Sequence, residues 1–197
     1  MIKKTCFMLI ASQNLSNYGV PVPENTIFRI NLAWTNSLDE LKNLLQKHSE
    51  HDIFVDLPIH RTKPPNNKYS LEDIIPIFES NPNVKYLAIS NVESSNDLKK
   101  YLDLLPNSIN LIPKIESPNG VNNIKDITDS LSSEQKIVML DHDDLYSSML
   151  KNNEPSTNFV SYVNKLAEYC KTNNVILLRT IGVVFSDDEK RITEYVN

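Results

Sequence analysis

Short apolar runs alternate along the chain with segments whose apolar residues recur every three or four positions. The runs Thr5–Ala11, Thr26–Ala33, Ile53–Leu57, Val84–Ser90, Ile109–Ile115, Ile137–Leu140 and Val175–Leu178 have the length and β-branched character of strands. Between them lie helical patterns. Leu38, Leu41, Leu44 and Leu45 form one face behind Ser37-Leu38-Asp39-Glu40, which has capping-box spacing. A second helix is expected from Ser70, with Asp73 three residues on and Pro76 in its second turn. Leu98, Leu102 and Leu105 mark a third, and Val121, Ile124, Ile127 and Leu131 a fourth. Ser147 to Thr157 reads as a long loop before a helix that turns Phe159, Tyr162, Val163, Leu166 and Cys170 inward. His48 and His51 read as the exposed end of the first helix, Trp34 as a packing residue, and Phe185 to Asn197 as a charged, helical tail.

Strands that alternate with helices pair in parallel through right-handed crossovers. Their nearly unbroken apolar character is that of strands covered on both faces. Seven such strands suit a doubly wound sheet or a barrel. A complete (β/α)₈ barrel has eight strands and about 250 residues, and this chain has 197. That length predicts a single domain, 1–197.

Polar residues gather where the strands run out, which is where parallel α/β architectures build their sites. Strand residues two apart share a face. This pairs Lys114 with Glu116 and Arg29 with Asn31. Asp56 closes the third run, Ser90 the fourth, and Thr180 follows the seventh; Asp141, Asp143 and Asp144 follow the sixth. Glu116 with one of these aspartates makes a hard oxygen site suited to Mg²⁺. Lys114 and Arg29 add fixed positive charge that can stabilise an enolate or hold phosphate.

Composition narrows the partners. The net charge of −5, with no basic run longer than two residues, gives no footprint for nucleic acid. No stretch nears the roughly 18 apolar residues of a membrane span. The Met-Ile-Lys-Lys start is followed by a run too short for a secretory leader. Cys6 and Cys170 sit in apolar patterns and read as reduced core residues, so the expected compartment is the cytoplasm. There are only three glycines, and no glycine-rich phosphate loop or nucleophile motif.

The segment from Ile112 to Ile127, with Pro113-Lys114-Ile115-Glu116 ahead of Gly120-Val121, resembles the signature of the pyruvate kinase family. The resemblance continues in order through Arg29-Ile30-Asn31, the strand ending at Asp56, Tyr86 to Ser90, Val138 to Leu145 and Val175 to Thr180. It implies a pyruvate-kinase-like (β/α) TIM-type barrel, shortened to about seven strands with the eighth missing or atypical. It implies Lys114, Arg29 and Thr180 as catalytic residues, and Glu116 and Asp144 as ligands of Mg²⁺ or Mn²⁺. Asn31, Asp56 and Ser90 would complete the pocket. The first two belong to the family's K⁺ site, where Leu57 here replaces a ligand threonine. The citrate-lyase β-subunit and HpcH/HpaI-type aldolases also place a strand-end Glu and a later Asp on Mg²⁺.

The implied substrate is phosphoenolpyruvate or pyruvate, processed through an enolate. Pro58 to Ser70 is too short to replace the nucleotide-covering lid of pyruvate kinase, so a lyase or transferase is expected rather than an ADP-dependent kinase. Ala33 and Trp34 stand where the family has Ser and His, and Asp141 and Asp143 where it has small residues. These departures motivate an alternative, a non-catalytic binding or regulatory protein. An open barrel edge further implies a homo-oligomer.

Overall fold

The structure, a computed structural model, describes residues 8–13, 25–59 and 67–179. Seven parallel strands form one sheet in sequence order: β1 (Ile10–Ser12), β2 (Ile27–Asn31), β3 (Ile53–Leu57), β4 (Val84–Ile89), β5 (Asn110–Ile115), β6 (Ile137–Leu140) and β7 (Ile176–Arg179). The helices are α1 (Leu38–Lys47), α2 (Leu71–Glu79), α3 (Asn96–Leu104), α4 (Pro118–Asn122), α5 (Ile124–Ser130), α6 (His142–Lys151) and α7 (Phe159–Thr172). None of them is long and apolar enough to cross a membrane.

The closed TIM-type barrel expected from the pyruvate kinase resemblance is not found. Closure requires the first and last strands to pair. Among the described residues β1 pairs with β2 and β7 with β6, so the sheet is a curled half-barrel with two open edges. Thr180 and the charged tail lie outside the described residues.

Sequential order with crossovers of one hand places the helices on one side of the sheet. The buried residues divide accordingly. Phe28, Ile30, Val55, Leu87, Leu111 and Leu140 pack in a large cluster with helix residues such as Leu41, Ile74 and Leu166. The opposite strand face makes a second cluster whose buried members, Ile27, Phe54, Ala88, Ile112, Ile137 and Met139, all come from strands. Among the described residues, Met8, Ile10, Tyr86, Ile176 and Leu178 pack against this cluster.

Local chemistry sets the element ends. Ser37 Oγ accepts from Glu40 N to start α1, while the Glu40 carboxylate accepts from Asn36 N. Ser70 and Asp73 complete a capping box on α2, which continues through Pro76. The second run stops as a strand at Asn31 and tightens into a 3₁₀ turn, Leu32–Trp34, leaving Trp34 exposed. The fourth helical pattern is divided between α4 and α5 at Asn123. Ser147 to Lys151, read from sequence as loop, belongs to α6. His48 is buried, its ring stacked on Phe28 with centroids 3.6 Å apart.

Candidate functional site

The strand face that carries the second apolar cluster changes character toward the C-terminal ends. Register places Asn31, Asp56, Ala88 and Ile112 side by side on β2 to β5. Two residues further along the same face stand Ser90 and Lys114, and two beyond Lys114 stands Glu116. Lys114 pairs with Met139 of β6, so Asp141 continues that face beside Glu116. Pro113, which has no N–H to give a ladder, sits where the pairing of β5 passes from β4 to β6. The floor of the concave face is thus apolar and its rim is charged.

Four charged side chains interlock at this rim. Asp56 is fully buried and pairs with Arg29, and Lys114 Nζ lies 3.7 Å from the same Asp56 Oδ2. Lys114 Nζ is also 2.8 Å from Glu116 Oε1 and donates to Ser90 Oγ at 3.2 Å. The second oxygen of Glu116 accepts from Asn91 N at 2.7 Å. Asn91 holds a left-handed backbone, φ 56°, and its side chain is tied to Ile59 O. Asparagine tolerates that conformation better than most residues.

Burial is the largest influence on both members of the central pair. It opposes charge on Lys114, but the Asp56 and Glu116 carboxylates outweigh it and hold the ammonium above the ordinary lysine value. Burial pushes Glu116 up to about 7, with Asp141 adding to the rise, while Lys114 and the Asn91 amide oppose it. Lys114 is therefore the firmly charged member, and Glu116 is a carboxylate awaiting more positive charge.

Asp141 and Asp144 face that carboxylate. One oxygen from each of Glu116, Asp141 and Asp144 lies within 4.8 Å of the others. Glu116 Oε1 is met only by the Lys114 ammonium, in an ion pair at 2.8 Å that lacks hydrogen-bond alignment. These three hard oxygen donors, of which Glu116 is buried, could together hold a metal ion. Asp141 also caps α6, accepting from Asp144 N at 3.3 Å.

These residues line one cavity of about 210 Å³. Seven expected site residues, Arg29, Asn31, Asp56, Ser90, Lys114, Glu116 and Asp144, all reach it. Asn31 Oδ1 accepts from Ala33 N, and Asp56 Oδ2 meets both Arg29 and Lys114 while its buried Oδ1 makes no hydrogen bond. Asp143 is exposed. Asn91, Ser147, Ser148 and Lys151 line the cavity without having been singled out in the sequence. The signal for Asp141 was present: it lies two residues beyond Met139 on the inward face.

No family model and no curated protein matches the chain. Among solved structures, the crystal structure of RipC from Yersinia pestis is similar, with 17% identity and a TM-score of 0.61 over 95% of this chain and 80% of that one. Identity this low speaks for backbone architecture alone.

Proposed function

We propose that the protein is a metal-assisted enzyme that forms the enolate of pyruvate, or receives it from phosphoenolpyruvate, as a lyase or transferase. The observation that carries the reading is the convergence of buried Lys114 with the three carboxylates Glu116, Asp141 and Asp144 at the C-terminal rim of a parallel sheet.

The three carboxylates would hold Mg²⁺ or Mn²⁺, which as a Lewis acid supplies charge stabilisation for a developing oxyanion. Lys114 adds a fixed ammonium, oriented by Ser90 and by the carboxylates on either side. Being buried and paired before substrate arrives, it need not reorganise during reaction. Asn91 and the β4 loop hold Glu116 at the cavity. Arg29 pairs with Asp56 through one guanidinium nitrogen and keeps its Nε without a hydrogen bond, so it remains a positive group at the cavity. The added carboxylate of Asp141 beside the cavity favours carbon–carbon bond chemistry over phosphoryl transfer.

Pyruvate methyl exchange in D₂O, followed by NMR, reads enolate formation without knowledge of the acceptor. The wild type should exchange these protons only with Mg²⁺ or Mn²⁺ present. Lys114→Ala should lower the rate by about 10²–10³, the usual loss for removal of one oxyanion-stabilising group. Metal binding without any exchange, in a folded wild-type protein, points instead to the non-catalytic alternative.

A further inference from the structure

Just past β4 the backbone makes a turn whose amides serve three different partners. Ser90 N donates to Leu57 O at 3.4 Å and Val92 N donates to Lys114 O at 3.2 Å. Between them Asn91 N turns aside and donates to Glu116 Oε2 at 2.7 Å. The turn is possible because Asn91 holds φ 56°, a left-handed backbone that asparagine and glycine adopt more readily than other residues. The Asn91 side chain is used elsewhere, Nδ2 donating to Ile59 O at 2.6 Å. Asn91 and Pro58, the residue before Ile59, both line the cavity.

The consequence falls on the two oxygens of Glu116. Oε2 is occupied by the Asn91 amide, while Oε1 meets only the Lys114 ammonium, without hydrogen-bond alignment. An ion shared with Asp141 and Asp144 would therefore take Glu116 through Oε1 alone. Ligation by a single carboxylate oxygen suits Mg²⁺ or Mn²⁺, which favour octahedral geometry and leave positions for water and substrate. Ca²⁺ takes about six to eight oxygens and commonly uses both oxygens of a carboxylate. Holding one oxygen of Glu116 on a backbone amide thus works against the larger ion.

We propose that Asn91 is a positioning residue that sets the metal selectivity of the site. Its left-handed turn delivers the amide that restricts Glu116 to one ligating oxygen, and so favours Mg²⁺ or Mn²⁺ over Ca²⁺. The inference rests on the metal-assisted reading above and concerns the ion rather than the carbon chemistry. The backbone amide carries the effect and the side chain does not. Glycine at this position keeps the turn, whereas alanine resists it.

The test uses the full chain. Mn²⁺ and Ca²⁺ affinities are measured by calorimetric titration for wild type, Asn91→Gly and Asn91→Ala, with urea unfolding of the metal-free proteins alongside. The wild type should bind Mn²⁺ at least about tenfold more tightly than Ca²⁺. Asn91→Gly should keep that ratio within about threefold. Asn91→Ala should bind Mn²⁺ about tenfold more weakly and narrow the ratio. A second measurement needs no substitution at Asn91. Its amide proton NMR signal should move upfield in Glu116→Gln, where the acceptor loses its charge, and that of Val92, bonded to Lys114 O, should move less. A wild type that does not discriminate against Ca²⁺, an unchanged ratio in Asn91→Ala, an equal loss in Asn91→Gly, or an Asn91 signal indifferent to Glu116→Gln overturns this inference and leaves the metal-assisted reading standing. Absence of Mn²⁺ binding in the wild type overturns both.

Discussion

At the scale of single residues, two buried ionisable groups show how context separates chemistry from packing. Lys114 and His48 are both less than one-tenth exposed. Lys114 is surrounded by carboxylates and keeps its charge. His48 stacks on Phe28 and leaves Nε2 without a partner, so its neutral form is favoured. Burial lowers its pKa, and the neighbouring charges of Lys47 and His51 lower it further. The sign of the consequence follows from linkage. Below the ordinary histidine value of 6.5 the unfolded chain takes a proton that the folded chain refuses. Stability from this residue is thus complete above that pH and is lost as pH falls below it, until the folded imidazole also titrates. Glu116 acts in the opposite sense, because its raised pKa favours the folded state in acid. Comparison of two proteins isolates the histidine. In urea unfolding, His48→Phe should lose less stability than the wild type between pH 7 and pH 5. Parallel pH dependences in the two proteins would remove His48 from the account.

At the scale of elements, α6 couples the fold to the site. Its N-cap is Asp141, which is also one of the three cavity carboxylates. The two duties have different chemical requirements. Asparagine caps a helix about as well as aspartate, whereas alanine does so poorly, at a cost of about 0.5–2 kcal/mol. A divalent ion needs the charge. Asp141→Asn should therefore keep unfolding stability within about 0.5 kcal/mol of wild type and weaken Mn²⁺ at least about tenfold. Asp141→Ala should lose both, as urea unfolding and calorimetric titration would show. Equal Mn²⁺ affinity in Asp141→Asn and wild type confines Asp141 to capping. On the other side of β5, α4 is seated just as closely. A Cβ at Gly120 would lie 2.6 Å from Val92 O, so only glycine lets this helix approach the β4 loop that positions Asn91 and Glu116. Ser117 fixes the same junction, accepting from Gly120 N and donating to Glu93 Oε1.

At the scale of the whole molecule, what the sequence disclosed was what is encoded locally. The strands Ile53–Leu57 and Ile137–Leu140 run as their apolar patterns indicate, because a buried parallel strand is written as a continuous apolar run. Period-two spacing picked out Lys114 with Glu116 and Arg29 with Asn31. Strand-end position and the family resemblance added Asp56, Ser90 and Asp144, and these seven line one cavity. Closure was not legible, since pairing of the first and last strands depends on curvature and register summed over the sheet. The helix α6 was missed because its inward stripe is only Leu145 and Met149, while its other polar face serves the cavity. His48 was misread because its neighbours in sequence are polar and its packing partner, Phe28, lies on a distant strand.

The same architecture would make binding of an ion by the three carboxylates, as proposed, a property of the entire fold. Glu116 follows β5 and is held by Asn91 from the end of β4, while Asp141 and Asp144 follow β6. The carboxylates converge only when these strands are in register, so an ion that needs all three binds the folded chain and not the unfolded one. Ligation of that kind stabilises by about 2.7 kcal/mol at a free concentration one hundred times Kd. For a chain of this length that corresponds to a rise in Tm of about 5–10 °C. Thermal unfolding with saturating Mn²⁺ should show this rise, and oxalate should add to it. Asp144→Asn should unfold at the metal-free temperature of the wild type and respond little to either ligand. If Mn²⁺ leaves the wild-type Tm unchanged at millimolar concentration, the three carboxylates are not a metal centre. Lys114 would then be only the counter-ion of a buried cluster.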